Sequence, residues 1–310
     1  MLEVDFILLA LKENFKSLMR YYGCQNMVRP IKKVIVKHPR NAYQNQEKIN
    51  NEASKLNYLG NPDFGKSCID FDFFVGLLKS IGCEIHYLPT ENPSSIDSIY
   101  THDPCLVSNE GIIYSNMGKL DRSNEPNLLE NYFKSIGVPT LGKIEYPGTL
   151  EGGDIVWINE RTIAVGEGYR SNAEGIFQLQ NILGDLIDNI ITVPLPHWTG
   201  PKDCLHLMSN ISPIDENLFL VYSKLLPVSF RSSLLDMGIS LIEVPDAEYL
   251  TMGCNVLAIA PKKVIMIDGN PITKSLLLEE GVEVHLYDGS EISFKGSGGP
   301  TCLTRPFLRT

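Results

Sequence analysis

No two of the seven cysteines (24, 68, 83, 105, 204, 254 and 302) stand in a Cys-x-x-Cys pair, and their number is odd. A disulfide framework and a structural zinc site both need such pairing, so neither is expected and a reducing cytoplasm is the natural setting. Basic clusters are equally scarce. A formal net charge of −10 offers no surface to nucleic acid or to an anionic membrane, and neither is expected as a partner. No apolar run approaches the length of a bilayer span. The opening stretch MLEVDFILLALKENFKSLMRYY is apolar, yet Glu3 and Asp5 stand where a signal peptide carries positive charge, and no small-residue cleavage site follows. It reads as an amphipathic helix within a helical extension over residues 1–30. Low-complexity linkers are missing as well. The 310 residues, 43% apolar and 21% charged, suit a sizeable core and are expected to form one domain over 1–310.

What the chain does have is internal repetition. Short apolar strands stopped by Pro or Asp recur at 81–89, 141–147, 188–196, 238–246 and 281–288, and four of the five open on a glycine, where a helix would end. Between them lie hairpins turning at Asn-Glu-Gly (109–111), Asn-Glu-Arg (159–161), Asp-Glu-Asn (215–217) and Pro-Lys-Lys (261–263). Helical apolar periodicity fills the gaps, as in IDFDFFVGLLKSIG and AEGIFQLQNILGDLI. The pattern is strand, strand, helix, strand, repeated five times with a period of about 50 residues. The early strand 32–39 has as its partner the closing segment 300–308. The expected fold is therefore an α/β propeller with five-fold pseudosymmetry, its hairpin ends facing a common centre. Residues 40–65, polar and Asn-rich, read as a lid loop.

Four hairpin starts carry a reactive or charged side chain: Asp103 in THDP, Glu151 in LEGGD, His206 in LHLMS and Cys302 in PTCLT. Each has an ordinary explanation taken singly. His206 could be a core histidine, Asp103 a turn-former before Pro104, Glu151 a loop residue and Cys302 a small hydrophobe. Equivalent positions in a five-fold ring would bring all four to the axis, and a thiol, an imidazole and two carboxylates in one cleft form a reaction site. Asn255 holds the corresponding place in the fifth repeat and is expected to satisfy backbone groups there. HWTGPKD, just ahead of His206, suggests a cleft wall.

In order along the chain, THDP, LEGGD, HLMS and GGPTCLTRP resemble the motifs of the guanidine-modifying, pentein-fold superfamily. That superfamily holds arginine deiminases, dimethylarginine dimethylaminohydrolases and arginine:glycine amidinotransferases. The resemblance covers residues from about 32 to 308 and implies a cysteine hydrolase of linear amidines, with a small guanidino substrate and no cofactor or metal. Asp103 and Glu151 would grip a planar guanidinium, whose N–H groups form a fixed fork. Cys302 would attack its central carbon, giving a thiouronium, and His206 would serve as acid and then base. Arg122 and Arg170 each lie 19 residues beyond one of the carboxylates, and family members use arginines there to bind an α-carboxylate. Asn61 in the lid is a further substrate contact. Arginine or an N-methylated arginine would yield citrulline and ammonia or a methylamine. Amidino transfer to an amine is the alternative, and a non-catalytic binding protein on the same ring is a distant third. Typical deiminases carry an aspartate two residues after the histidine, where this chain has Met208. A homo-oligomer is left open.

Overall fold

Apolar runs without polar interruption belong to strands covered on both faces. The computed structural model describes residues 21–90, 93–202 and 205–310, and five three-stranded sheets carry such runs inward. The first sheet has β1 (Ile31–Val36) at its middle and β2 (Glu84–Tyr87) outside. The second has β3 (Cys105–Val107), β4 (Ile112–Tyr114) and β5 (Thr140–Lys143); the third β6 (Ile155–Asn159), β7 (Thr162–Glu167) and β8 (Asn189–Pro194). In the fourth are β9 (Ile211–Asp215), β10 (Leu218–Val221) and β11 (Ser240–Glu243), and in the fifth β12 (Leu257–Ala260), β13 (Lys263–Ile267) and β14 (Glu283–Tyr287). The last strand, β15 (Arg305–Arg309), returns to complete the first sheet beside β1, pairing Ile35 with Arg305 and Ile31 with Arg309. In every sheet the middle strand is antiparallel to the inner one and parallel to the outer one. A helix makes each parallel crossover. This is the five-bladed α/β propeller.

Side-chain alternation explains why the ring closes. Along β10, Leu218 and Leu220 enter the core shared with β13, whereas Phe219 and Val221 enter the core shared with β7. On β13, Val264 and Met266 face one neighbour while Ile265 and Ile267 face the other. Each middle strand thus feeds two cores through the period-two geometry of the pleat. Five such cores lie between successive blades, the last joining blade five to blade one through Val34, Val36 and Ile265.

The helices start and stop on local chemistry. Asp63 caps Phe64–Ser80 by accepting from Lys66 N at 2.8 Å, and Asn172 caps Ala173–Leu183 by accepting from Gly175 N at 2.8 Å. Positive-φ glycines Gly82, Gly137, Gly184, Gly238 and Gly281 follow the five crossover helices. In the second repeat the helix ends at Gly137, not at the glycine that opens the predicted strand; Gly142 lies inside β5 against Ile182.

Two sequence expectations need correction. The predicted helical extension over 1–30 falls mostly outside the described residues, and the part that is described, 21–30, is not helical. There Gly23 bridges to Leu308, with Gly23 N donating to Phe307 O at 2.7 Å. Residues 40–65 are not one continuous loop. They form helical turns at Pro39–Ala42 and Gln46–Glu52, followed by an irregular stretch over 53–63 that leads into the helix at Phe64. Asn45 caps the second by accepting from Lys48 N, and the stripe Ile49, Ala53, Leu56 packs inward at helical spacing. Among the described residues no helix is long and apolar enough to cross a membrane.

Candidate active site

The loops entering β3, β6, β9, β12 and β15 meet at one end of the ring. A cleft of about 280 Å³ there is lined by Asp103, Arg122, Arg170, His206 and Cys302, with Asp97 and Lys119 beside them. Glu151 lies directly beneath, wholly buried, and joins the cleft through His206, whose Nε2 is 2.7 Å from Glu151 Oε2. The structure therefore brings together six of the seven predicted site residues. It does not bring Asn61, which is exposed, donates through Nδ2 to Asn50 Oδ1 at 3.0 Å and does not line the cleft. The wall that residues 40–65 contribute comes from Leu56, Asn57 and Leu59 instead. Of the predicted wall HWTGPKD, Thr199 and Lys202 line the cleft, while Trp198 packs edge-on against Tyr249.

The two carboxylates are held ionised. Burial pushes the Asp103 carboxyl up, but the Arg122 guanidinium, His206 and His102 outweigh it and hold the group well below the usual carboxylate range. Arg122 Nη1 donates to Asp103 Oδ2 at 2.5 Å, and Gly153 N donates to Oδ1 at 3.1 Å. Burial also acts against ionised Glu151, and here the His206 hydrogen bond and the charges of His206 and Arg170 win, leaving its pKa below the ordinary value. Glu151 Oε1 accepts from Lys119 N at 3.0 Å. Arg122 has little left to offer: Nε and Nη2 donate to Glu125, Nη2 also donates to Tyr100 O, and one Nη1 hydrogen serves Asp103. A guanidinium has five N–H groups, so a single one remains.

LEGGD is a mechanical joint. A Cβ on Gly153 would collide with the His206 imidazole, and one on Gly152 with the Arg305 guanidinium and the His102 carbonyl. Only glycine lets the histidine lie against this turn. The motif's last residue, Asp154, accepts from Leu207 N at 3.0 Å and from Ser171 Oγ at 2.6 Å, and Ser171 Oγ accepts in turn from Glu151 N at 3.1 Å. One buried carboxyl thus fastens the loops that carry His206, Arg170 and Glu151. Burial raises its pKa to about 6.

Cys302 differs from the other described cysteines. Those five are buried, and burial raises the pKa of each, to about 12 for Cys83 and Cys105. Cys302 is partly exposed and opens on the cleft. Asn255 Nδ2 donates to its Sγ at 3.3 Å, while Asn255 Oδ1 accepts from Thr301 N at 3.3 Å. A donor aimed at sulfur favours the thiolate. The expected backbone role of Asn255 is present, and its contact with the thiol is an addition that only its place in the fifth repeat hinted at. The preceding glycines admit this packing, since a Cβ on Gly299 would stand 2.5 Å from the Asn255 carboxamide.

Sequence reading missed Asp97, Lys119 and Glu125. Asp97 is buried and pairs with Lys119 Nζ at 2.5 Å, and Lys119 Nζ also donates to Leu56 O at 3.3 Å, tying the cleft wall to the floor. Met208 packs in the core between blades three and four, away from the cleft. The ligand atoms of Asp103, Glu151 and His206 lie within 4.8 Å of one another, near enough to hold a metal ion. Arg122 and Arg170 offset these carboxylates, which disfavours a divalent ion more than a singly charged one.

Five ββαβ blades with acid, acid, imidazole and thiol at four of the five hairpin starts define a pentein of the guanidine-modifying superfamily. The family model for arginine deiminase matches residues 91–238 and 226–309. The chain belongs to the arginine deiminase family. It is 27% identical over 252 residues to the arginine deiminase of Listeria welshimeri, a match covering 68% of this chain but only 61% of that protein. It is also 27% identical over 252 residues to the N(G),N(G)-dimethylarginine dimethylaminohydrolase of Pseudomonas aeruginosa, covering 81% and 92% of the two chains. A solved structure of a mutant of the Pseudomonas enzyme complexed with citrulline superposes with a TM-score of 0.73 at 25% identity, covering 91% of this chain and all of that one. An amidinotransferase from Microseira wollei shares the fold at 17% identity, with a TM-score of 0.74 over 93% and 97%.

Proposed function

We propose that this protein is a hydrolase of the guanidino group of arginine or an N-methylated arginine, working through a covalent thiouronium on Cys302. The observation that carries the reading is the convergence of Asp103, Glu151, His206 and Cys302, from four different blades, on one cleft. Two ionised carboxylates suit a flat cation whose N–H groups fan out in a plane. The bound cation lowers the thiol pKa, and the Asn255 N–H adds to that effect. Cys302 Sγ then forms a bond to the guanidinium carbon. The C–N bond to the leaving nitrogen breaks as His206 delivers a proton to it. Water, deprotonated by the same imidazole, attacks the thiouronium carbon, the C–S bond breaks, and the ureido product leaves with the thiolate restored. Glu151, 2.7 Å from His206 Nε2, stabilises the protonated ring. Arg170 and the one remaining N–H of Arg122 would receive the α-carboxylate. The Arg122 share is the smaller because Glu125 and Asp103 already occupy it. Met208, where typical deiminases carry an aspartate, packs away from the cleft, so no carboxylate there binds the guanidinium, which is compatible with an N-substituted substrate.

The test is ureido-product formation by the purified protein from L-arginine, monomethylarginine, dimethylarginine and agmatine offered in parallel. Cys302→Ala is expected to lose at least a thousandfold, and turnover to survive exhaustive chelation. Citrulline from arginine alone marks a deiminase, and preference for a methylated substrate marks a dimethylargininase. Absence of ureido product from all four overturns hydrolysis and makes an amine acceptor, for amidino transfer, the next substrate to try.

A further inference from the structure

A second cavity, of about 30 Å³, lies on the propeller axis, because all five inner strands line it: Leu106, Ile155, Pro213, Leu257 and Arg305 come from β3, β6, β9, β12 and β15 in turn. Its wall is rich in hydrogen-bond donors and contains no carboxylate. Arg305 and Arg309 are both buried, and among the described residues neither forms an ion pair. Arg305 Nη2 donates to His102 O, and Arg309 Nη2 to Ala258 O at 2.9 Å. Arg305 Nε has no acceptor among the described residues. Nor has Trp157 Nε1, on the same wall. The neighbouring thiols do not supply the missing charge, since burial raises the pKa of Cys24 and holds Cys105 at about 12.

Guanidinium groups do not give up their proton in proteins, and an unpaired buried charge is costly unless something neutralises it. Burial does act against both arginines here. We propose that the axial cavity binds one small monovalent anion of the halide class, held by Arg305 Nε and Trp157 Nε1 and neutralising Arg305 and Arg309. Donor number and charge decide the class. The two unpartnered donors, one guanidinium N–H and one neutral indole N–H, can hold a single-atom anion, whereas most of the oxygens of a phosphate would go unsatisfied against the largely apolar wall. The cavity shares Asn26, Met27, Trp157 and Pro213 with an open groove of about 490 Å³, which gives the ion a short path from solvent. The site is separate from the cleft but close to it: Arg305 holds the His102 carbonyl, His102 N donates to Cys302 O at 3.2 Å, and the charges of Asp103 and Cys302 act on Arg305.

The test uses the full chain and bromide. Crystals grown in sodium bromide should show one anomalous peak between Arg305 Nε and Trp157 Nε1. In solution, the melting temperature should rise with chloride or bromide, but not with gluconate at equal ionic strength, by the linkage of binding to folding. Arg305→Met should abolish that difference whatever its own stability. Should this variant not fold, Trp157→Phe keeps the ring and removes one donor, and is expected to weaken halide dependence roughly tenfold or more. An axial peak that is water alone, or a melting temperature indifferent to the anion, overturns the proposal.

Discussion

At the scale of single residues, the site depends on contacts of a few tenths of an ångström. Gly153 faces the His206 ring so closely that any side chain must displace it. Gly153→Ala is therefore expected to cost at least a hundredfold in kcat while the melting temperature moves by only a few degrees, since misplacement of about 1 Å is worth that much. Ureido assay and thermal melt on one preparation check both halves. Asn255→Ala removes the N–H donated to Cys302 Sγ. The pH midpoint for alkylation of Cys302 by iodoacetamide should move upward, and a midpoint equal to the wild type would show that the contact does not favour the thiolate. Asp103, Glu151, His206 and Cys302 were legible in the sequence because each sits beside a hairpin. Asp97 and Lys119 were not, because their pairing joins a short helical turn to a loop of the same blade, a contact with no spacing rule. Asn61 was misplaced for the converse reason: Asn50, eleven residues earlier, claims its amide.

At the scale of elements, the loop around Asp154 acts as a unit. Its carboxyl has a pKa of about 6 in the fold against an ordinary 3.8. The folded state thus binds a proton more readily than the unfolded chain. Stability from this group is fully present below the unfolded value and is lost as pH rises through about 6, by up to about 1.4 kcal/mol per pH unit within that window. Asp154→Asn should remove that part of the slope between roughly pH 4 and 6, and melting temperature against pH reports it. Asp103 and Glu151 have the opposite sign, since their depressed values give stability that is lost as pH falls. The helical character of residues 40–56 was hidden by Asn and Gln on the outward face. The inward residues, Ala42, Tyr43, Ile49, Ala53 and Leu56, are split between two short helical turns and so do not stand out from the polar background.

At the scale of the whole molecule, closure is the structural event. β15 contributes the inner strand of the first sheet and buries Phe307 and Leu308. Those two side chains alone bring about 3–6 kcal/mol, against a total stability of order 5–15 kcal/mol. A chain ending at Thr304 also leaves β1 with an unpaired edge. It is expected to lose cooperative thermal unfolding, although Cys302 and every other site residue are retained. A sharp melt from the truncated chain would show that the ring does not need its last strand.

The sequence by itself determined the repeating elements and their order. Period-two and period-3.6 patterns, turn residues and glycine stops are local chemistry, and they placed the five repeats, the closing partnership of first and last strands, and the four reactive side chains at hairpin starts. Tertiary structure alone decided what those side chains meet. It committed four of the five Arg122 N–H groups to Glu125, Tyr100 and Asp103, put Asn255 against the thiol, turned Asn61 away, and enclosed Arg305 with Trp157 on the axis. Such meetings join residues from different blades or distant loops. Their geometry follows from how the blades pack around the ring, and no local pattern encodes it.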